Sequence, residues 1–346
     1  MAGVLLLGWS APAWPDDGLS IVDLTGSFDR FVMATTNLPD DQRLVAFEKQ
    51  IGSMANGFYS RERRPEGYDF RILLQLKTYP ERRAATLAVS RKFNQQFAPA
   101  RRHFEAAFGP VHSNQPVFVL NSLGELDGGI RKLNGHSTLL FGADVIAEFH
   151  SGRDMTAFFY HELFHLYHEP QVENCLTVRC SLWAEGLATY VSSKLAPDAG
   201  DDELILNLPE PIRPAVEANR GAAVCAIVRR LDSTTNQDFS AFFQGDDRLS
   251  GFPSRMGYYV GFLVASDIGR THSMKQMAAM SMEEARPLID ASLARMATCR
   301  TATTEAYEPS RTHRASRLDQ PVGGLAALPG DADHRARHEI RVDRAA

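Results

Sequence analysis

The sequence predicts an α+β chain in which a short central segment supplies the strands and helices supply the rest. Three observations carry this. Apolar residues recur at helical spacing through 28–33, 43–54 and, most plainly, 84–108, where Leu87, Phe93, Phe97, Phe104 and Phe108 lie among Arg and Gln. Two short apolar runs, 116–120 (PVFVL) and 137–141 (STLLF), read instead as buried strands. Beyond residue 181 every periodic stretch is helical.

The opening residues, MAGVLLLGWSAPAWP, combine an apolar run at 4–9 with a small-x-small pattern at Ala11-Pro12-Ala13. They read as a signal peptide over 1–18 that lacks the usual basic start, so a periplasmic or secreted protein is expected. The alternative is an apolar first strand packed on the core. Residues 19–108 read as mostly helical until Gly109-Pro110. After the first strand run, Gly124, Gly128, Gly129 and Gly135 break the chain into turns. A helix starts near Asp154, a good N-cap, and runs to Pro170. A loop at 170–180 leads to a further helix from Ser181 or Leu182. Helices are expected at about 213–232, 237–244, 255–269 and 281–297, the last with a capping box of Ser281 and Glu284. The tail 301–346 has one aromatic residue, Tyr307, and reads as disordered. Its histidines, His313, His334 and His338, are set aside.

A hydrophobic content of 44% over 346 residues is enough for a sizeable core. The net charge of −5 carries no basic excess, which argues against nucleic acid and anionic membranes as partners. No segment has the length of a transmembrane helix. Of four cysteines, Cys175 and Cys180 are near neighbours in a loop and form the local disulfide candidate. Cys225 and Cys299 are either a second pair or buried free thiols.

The strongest chemical signal is His161-Glu162-Leu163-Phe164-His165. On a helix, residues i and i+4 lie on one face about 6 Å apart along the axis. Two imidazoles so placed can share one tetrahedral Zn2+. Glu162, beside His161, can reach a water on that metal. A catalytic site needs a third protein ligand and an open position. Glu185, in WAEGLA, supplies it after 19 intervening residues. Its apolar neighbours Leu182, Trp183, Leu187, Ala188 and Val191 suggest a carboxylate that needs a partner. His168 is a rival, but it stands about 10 Å along the axis from His161, too far to share the metal. It reads as a surface residue or as a support to a ligand.

HELFH, the 19-residue gap and WAEGLATY resemble the gluzincin zinc peptidases, the superfamily that includes thermolysin. The wording is nearest a bacterial family of predicted zinc-dependent proteases, which also carries an R-x-G-Y-Y-x-G-like helix. Here that segment is Arg255-Met256-Gly257-Tyr258-Tyr259-Val260-Gly261. The resemblance covers roughly 85–297 and is most specific at 158–191. It implies a zincin-like layout: a small mixed sheet with the HELFH helix in an N-terminal lobe (about 19–169), a helical lobe at about 181–300, and the site in the cleft between. It implies His161, His165 and Glu185 as ligands, Glu162 as general base, and a peptide or protein substrate docked by β-augmentation on strand 137–141. Tyr258 or Tyr259 is the candidate oxyanion donor, against simple aromatic packing. One departure is Thr189, which stands where thermolysin-like enzymes place an Asp that supports a histidine.

The expected function is therefore zinc-dependent hydrolysis, with a peptide as the first substrate class. Two other classes are a scaffold with structural zinc, and a zinc hydrolase of a non-peptide amide or ester. An intact Glu162 disfavours the scaffold, because a structural site needs no base.

Overall fold

The computed structural model describes residues 19–150, 152–172, 174–244 and 251–299. The expected signal peptide and disordered tail lie outside the described residues. The strands are β1 (Ile21–Asp23), β2 (Val117–Leu120), β3 (Gly128–Leu133) and β4 (His136–Gly142). The N-terminal helices are α1 (Thr25–Thr35), α2 (Asp40–Gln50), α3 (Tyr68–Phe108) and α4 (Ala143–Phe149). Then come α5 (Thr156–Val172) and α6 (Val178–Leu195). After them follow α7 (Ile212–Ala218), α8 (Arg220–Val228), α9 (Asn236–Phe243), α10 (Met256–Ile268), α11 (Met274–Ala279) and α12 (Met282–Met296).

The chain is thus α+β with a small mixed sheet, in the order β1-β2-β4-β3. β1 and β4 flank β2 in parallel, and β3 pairs antiparallel with β4. Strand β3 corrects the expectation of turns at Gly128 and Gly129. The hairpin bend falls at Asn134 and Gly135, both with left-handed φ (50° and 81°), the conformation an Asn-Gly hairpin requires. Strand β4 runs between β2 and β3, so neither of its edges is open. The docking edge expected at 137–141 is therefore not available there.

Helix boundaries also differ in places. Helix α5 continues past Pro170, and α6 starts at Val178, where the Thr177 hydroxyl accepts the Cys180 N–H and caps the first turn. The helix expected at 213–232 is two, broken at Asn219. The Ser281–Glu284 capping box is present on α12. Both cysteine pairs are bridged: Cys175–Cys180 and Cys225–Cys299, with Cα atoms 5.8 and 5.3 Å apart. The free-thiol alternative for the second pair does not hold.

Alternation along the strands sends side chains to opposite faces of the sheet. Phe118, Leu120 and Leu140 join a core with Phe28, Phe47, Tyr59 and Tyr79. Val117, Val119, Leu139 and Phe141 join a larger one with Phe93, Phe97, Phe159, Trp183, Val260 and Ile289. The two cores separate at the sheet. Helices α5, α6 and α10 share one core.

The segment between β2 and β3 is clamped by Glu125. Arg63 grips both its carboxylate oxygens, and Arg64 and Arg131 approach at 3.0 and 3.4 Å. Burial pushes this carboxyl up, but the Arg63 bond and the three positive charges outweigh it and hold it at about 2. A depressed folded-state value stabilises above the ordinary range, near 4.5, and that contribution is lost as pH falls through 2. The chain should lose about 3 kcal/mol from this source over that interval. Glu125→Gln should flatten the acid limb of stability measured by denaturant titration; an unchanged slope would show that Glu125 does not set it.

Candidate metal centre

Helices α5 and α6 are joined by a short loop and run antiparallel. Ser192 Oγ donates to the Ala157 carbonyl at 2.9 Å, while Glu185 meets His161 and His165, so numbers rise on one helix as they fall on the other. His161 Nε2 and His165 Nε2 each lie 3.2 Å from Glu185 Oε2 and 2.9 Å from each other. Ligand atoms 2.0–2.1 Å from a shared tetrahedral zinc stand roughly 3.3 Å apart. Those on one face of an octahedron stand roughly 3 Å apart. The three atoms therefore converge as a His-His-Glu group that could hold a metal ion. The His161 side chain is 3% exposed, but His165 and Glu185 keep 18% and 20%, so solvent reaches the group from their side.

Electrostatics follow from burial and proximity. Burial draws the His161 imidazolium down, against its bond to Glu185, leaving it at about 4. Burial also opposes charge on His165, but the Glu185 carboxylate outweighs it and holds it up at about 9. Glu185 is pushed up by burial and pulled further down by the two imidazoles, so it stays ionised. A cation suits this cluster, because two imidazole nitrogens and a carboxylate oxygen converge on one point.

Glu162 points to the other neighbour of α5, strand β3. It is 5% exposed and its Oε2 has no hydrogen-bond partner. Burial, with the Asp127 and Glu185 charges adding to it, raises its carboxyl to about 8. Gly128 makes room for it: a Cβ there would stand 2.8 Å from Glu162 Cδ and 2.6 Å from Phe158 Cζ.

Tyr258 comes to the site and Tyr259 does not. The Tyr258 ring stacks on His161 at 5.9 Å, with planes 20° apart. The Tyr259 hydroxyl donates to Glu217 Oε1, under the Arg213 guanidinium. The Thr189 hydroxyl donates back to the Glu185 carbonyl at 2.8 Å, so it supports no histidine. His168 is not a surface residue: it is 1% exposed, stacks on Phe164, and neither ring nitrogen has a partner.

A glycine seam sets α10 against α6. A Cβ on Gly186 would stand 2.1 Å from the Gly261 carbonyl carbon, and one on Gly261 would stand 2.3 Å from the Leu182 oxygen. Only backbone fits there, which explains the glycines of WAEG and YYVG and brings Tyr258 beside Glu185's helix. Gly186→Val should destabilise the chain by about 3 kcal/mol, the upper range of overpacking, since the obstructing atoms are backbone. Equilibrium denaturation checks this; wild-type stability would mean the helices are not in backbone contact.

Three residues of the site were not read from the sequence as such. Asp127 is buried and meets His150 Nε2 at 3.0 Å, and its charge is felt at Glu162. Arg255 is 7% exposed, with its guanidinium 4.6 Å from the Tyr258 ring centre. The Arg-Met-Gly-Tyr-Tyr motif contained Arg255, but nothing in its spacing gave it a role. Asp127 and His150 carry no motif at all.

Comparisons with family models, with curated proteins and with solved structures find no match to this chain.

Proposed function

We propose that this chain is a zinc-dependent hydrolase that cleaves peptide bonds. The observation that carries the reading is the convergence of His161, His165 and Glu185 next to a buried glutamate with an unsatisfied oxygen, one residue from the first ligand. Spacing alone admits a tetrahedral or an octahedral metal; the adjacent Glu162 favours zinc and hydrolysis. Zinc held there would lower the pKa of water towards about 7 and polarise a carbonyl.

The chain's own residues do the rest. Glu162, buried one residue from the first ligand with its Oε2 unpartnered, is placed to take a proton from water and return it to a leaving amine. Tyr258, stacked on His161, is the donor candidate for the developing oxyanion. Strand β3 pairs only with β4 among the described residues, and Gly128 carries it past Glu162. An extended peptide would therefore add to β3 at the sheet edge. Two disulfides support an oxidising compartment, periplasmic or secreted. No described helix is long and apolar enough to cross a membrane.

The test is metal analysis of the purified chain, with cleavage of a mixed peptide library before and after chelation. One zinc per chain and chelator-sensitive cleavage are expected. Undiminished cleavage by the metal-free chain would overturn the reading.

A further inference from the structure

Among the described residues, Arg255 is a buried arginine without an ion pair. Its Nε is enclosed with no hydrogen-bond partner, and no carboxylate among the described residues forms a salt bridge with it. Arg43, Arg131 and Arg179 also leave one buried guanidinium nitrogen without a partner, but each has a bond elsewhere on its fork: Arg43 to the Leu76 carbonyl, Arg131 to Glu125, Arg179 to Asp232. Arg255 has instead Tyr258, whose ring lies under the guanidinium and whose hydroxyl is within its reach, and it feels the charges of Asp127 and Glu185. A buried guanidinium that has no ion pair is costly unless something supplies the anion.

Its placement is enforced. Arg255 takes left-handed φ (66°), which non-glycine residues rarely adopt, and it does so immediately before α10. The glycine seam pins that helix to the helix of Glu185. The stack of guanidinium, Tyr258 ring and His161 ring then bounds the distance from Arg255 to the metal ligands. Its two spacings, 4.6 and 5.9 Å, end to end reach no further than about three extended residues. The guanidinium fork matches a carboxylate in two parallel bonds.

We propose that Arg255 receives the free α-carboxylate of a bound peptide, so that the favoured substrates are short peptides or chain ends cleaved within about three residues of the C-terminus. This rests on the peptidase reading above. It makes Arg255 a specificity residue that touches substrate, in a site whose other polar groups serve the reacting bond.

The test uses the full chain loaded with zinc and a defined mixture of peptides of two to six residues, offered as free acids and as C-terminal amides. Mass spectrometry should show acids cleaved at least about tenfold faster than amides, at bonds near the free end. Arg255→Met should bring that ratio to within about twofold of one, and Arg255→Lys should retain part of it. A wild type indifferent to amidation, or a ratio unchanged in Arg255→Met, would overturn the inference. Binding is read separately, as the rise in melting temperature of the zinc-loaded Glu162→Gln chain with each mixture. A rise with acids only, lost when Arg255→Met is added, upholds the inference even if no peptide is cleaved and the peptidase reading fails. Equal rises with acids and amides would sink it even if cleavage is seen.

Discussion

Glu162→Gln is expected to keep its zinc and to lose hydrolysis by about a hundredfold to ten-thousandfold, the range for a lost general base. The amide has the shape of the carboxyl, so it fits the space that Gly128 leaves against β3. It cannot take up a proton. Because Glu162 Oε2 has no protein partner and its carboxyl is raised to about 8, neutralising it should not disturb an ion pair or the fold. Metal content by mass spectrometry and cleavage rate on the same preparation give the answer. Cleavage at the native rate would remove Glu162 from the chemistry, and loss of metal would show that it is a ligand.

His165→Ala is expected to reduce zinc from one per chain to a trace. Losing a ligand should exceed the roughly 10–100-fold loss of affinity seen when only a ligand's support is removed. It should also destabilise the metal-free chain, because Glu185 would lose one of the two imidazoles that hold it ionised. Zinc retained at full stoichiometry in this variant would displace the assignment of the centre. Thermal melts of the chelated wild type and variant separate the metal's contribution from that of the hydrogen bonds.

Much of this centre was legible because a helix fixes geometry from spacing. His161 and His165 needed only the i, i+4 rule, and Glu185 needed one antiparallel helix after a short loop. What lay outside that rule was not legible. Asp127, His150 and Arg255 come from three separate segments, and only the packing of β3, α4 and α10 around α5 brings them close. Tyr258 and Tyr259 are adjacent in sequence but diverge around the helix, so one meets His161 and the other Glu217. Strand β3 was read as turns because its glycines outweighed its short apolar pattern. The Asn134-Gly135 pair was a usable hairpin signal in the sequence. The central position of β4 depends on pairing with β2 across a crossover, which local pattern does not encode.

The seam at Gly186 and Gly261 bears on motion. Helix α6 has α5 on one side and α10 on another, and at Gly186 and Gly261 the two backbones meet with no side chain between them that could rotate to let the helices slide. Amide hydrogens along α6 and α10 should therefore exchange together, through a shared opening of the large core and not by fraying one at a time. Glu185 rides on this plate, and it would be held at its place before any ion arrives. Zinc capture would then demand little ordering of the chain, unlike the small zinc domains that are unfolded until they bind metal.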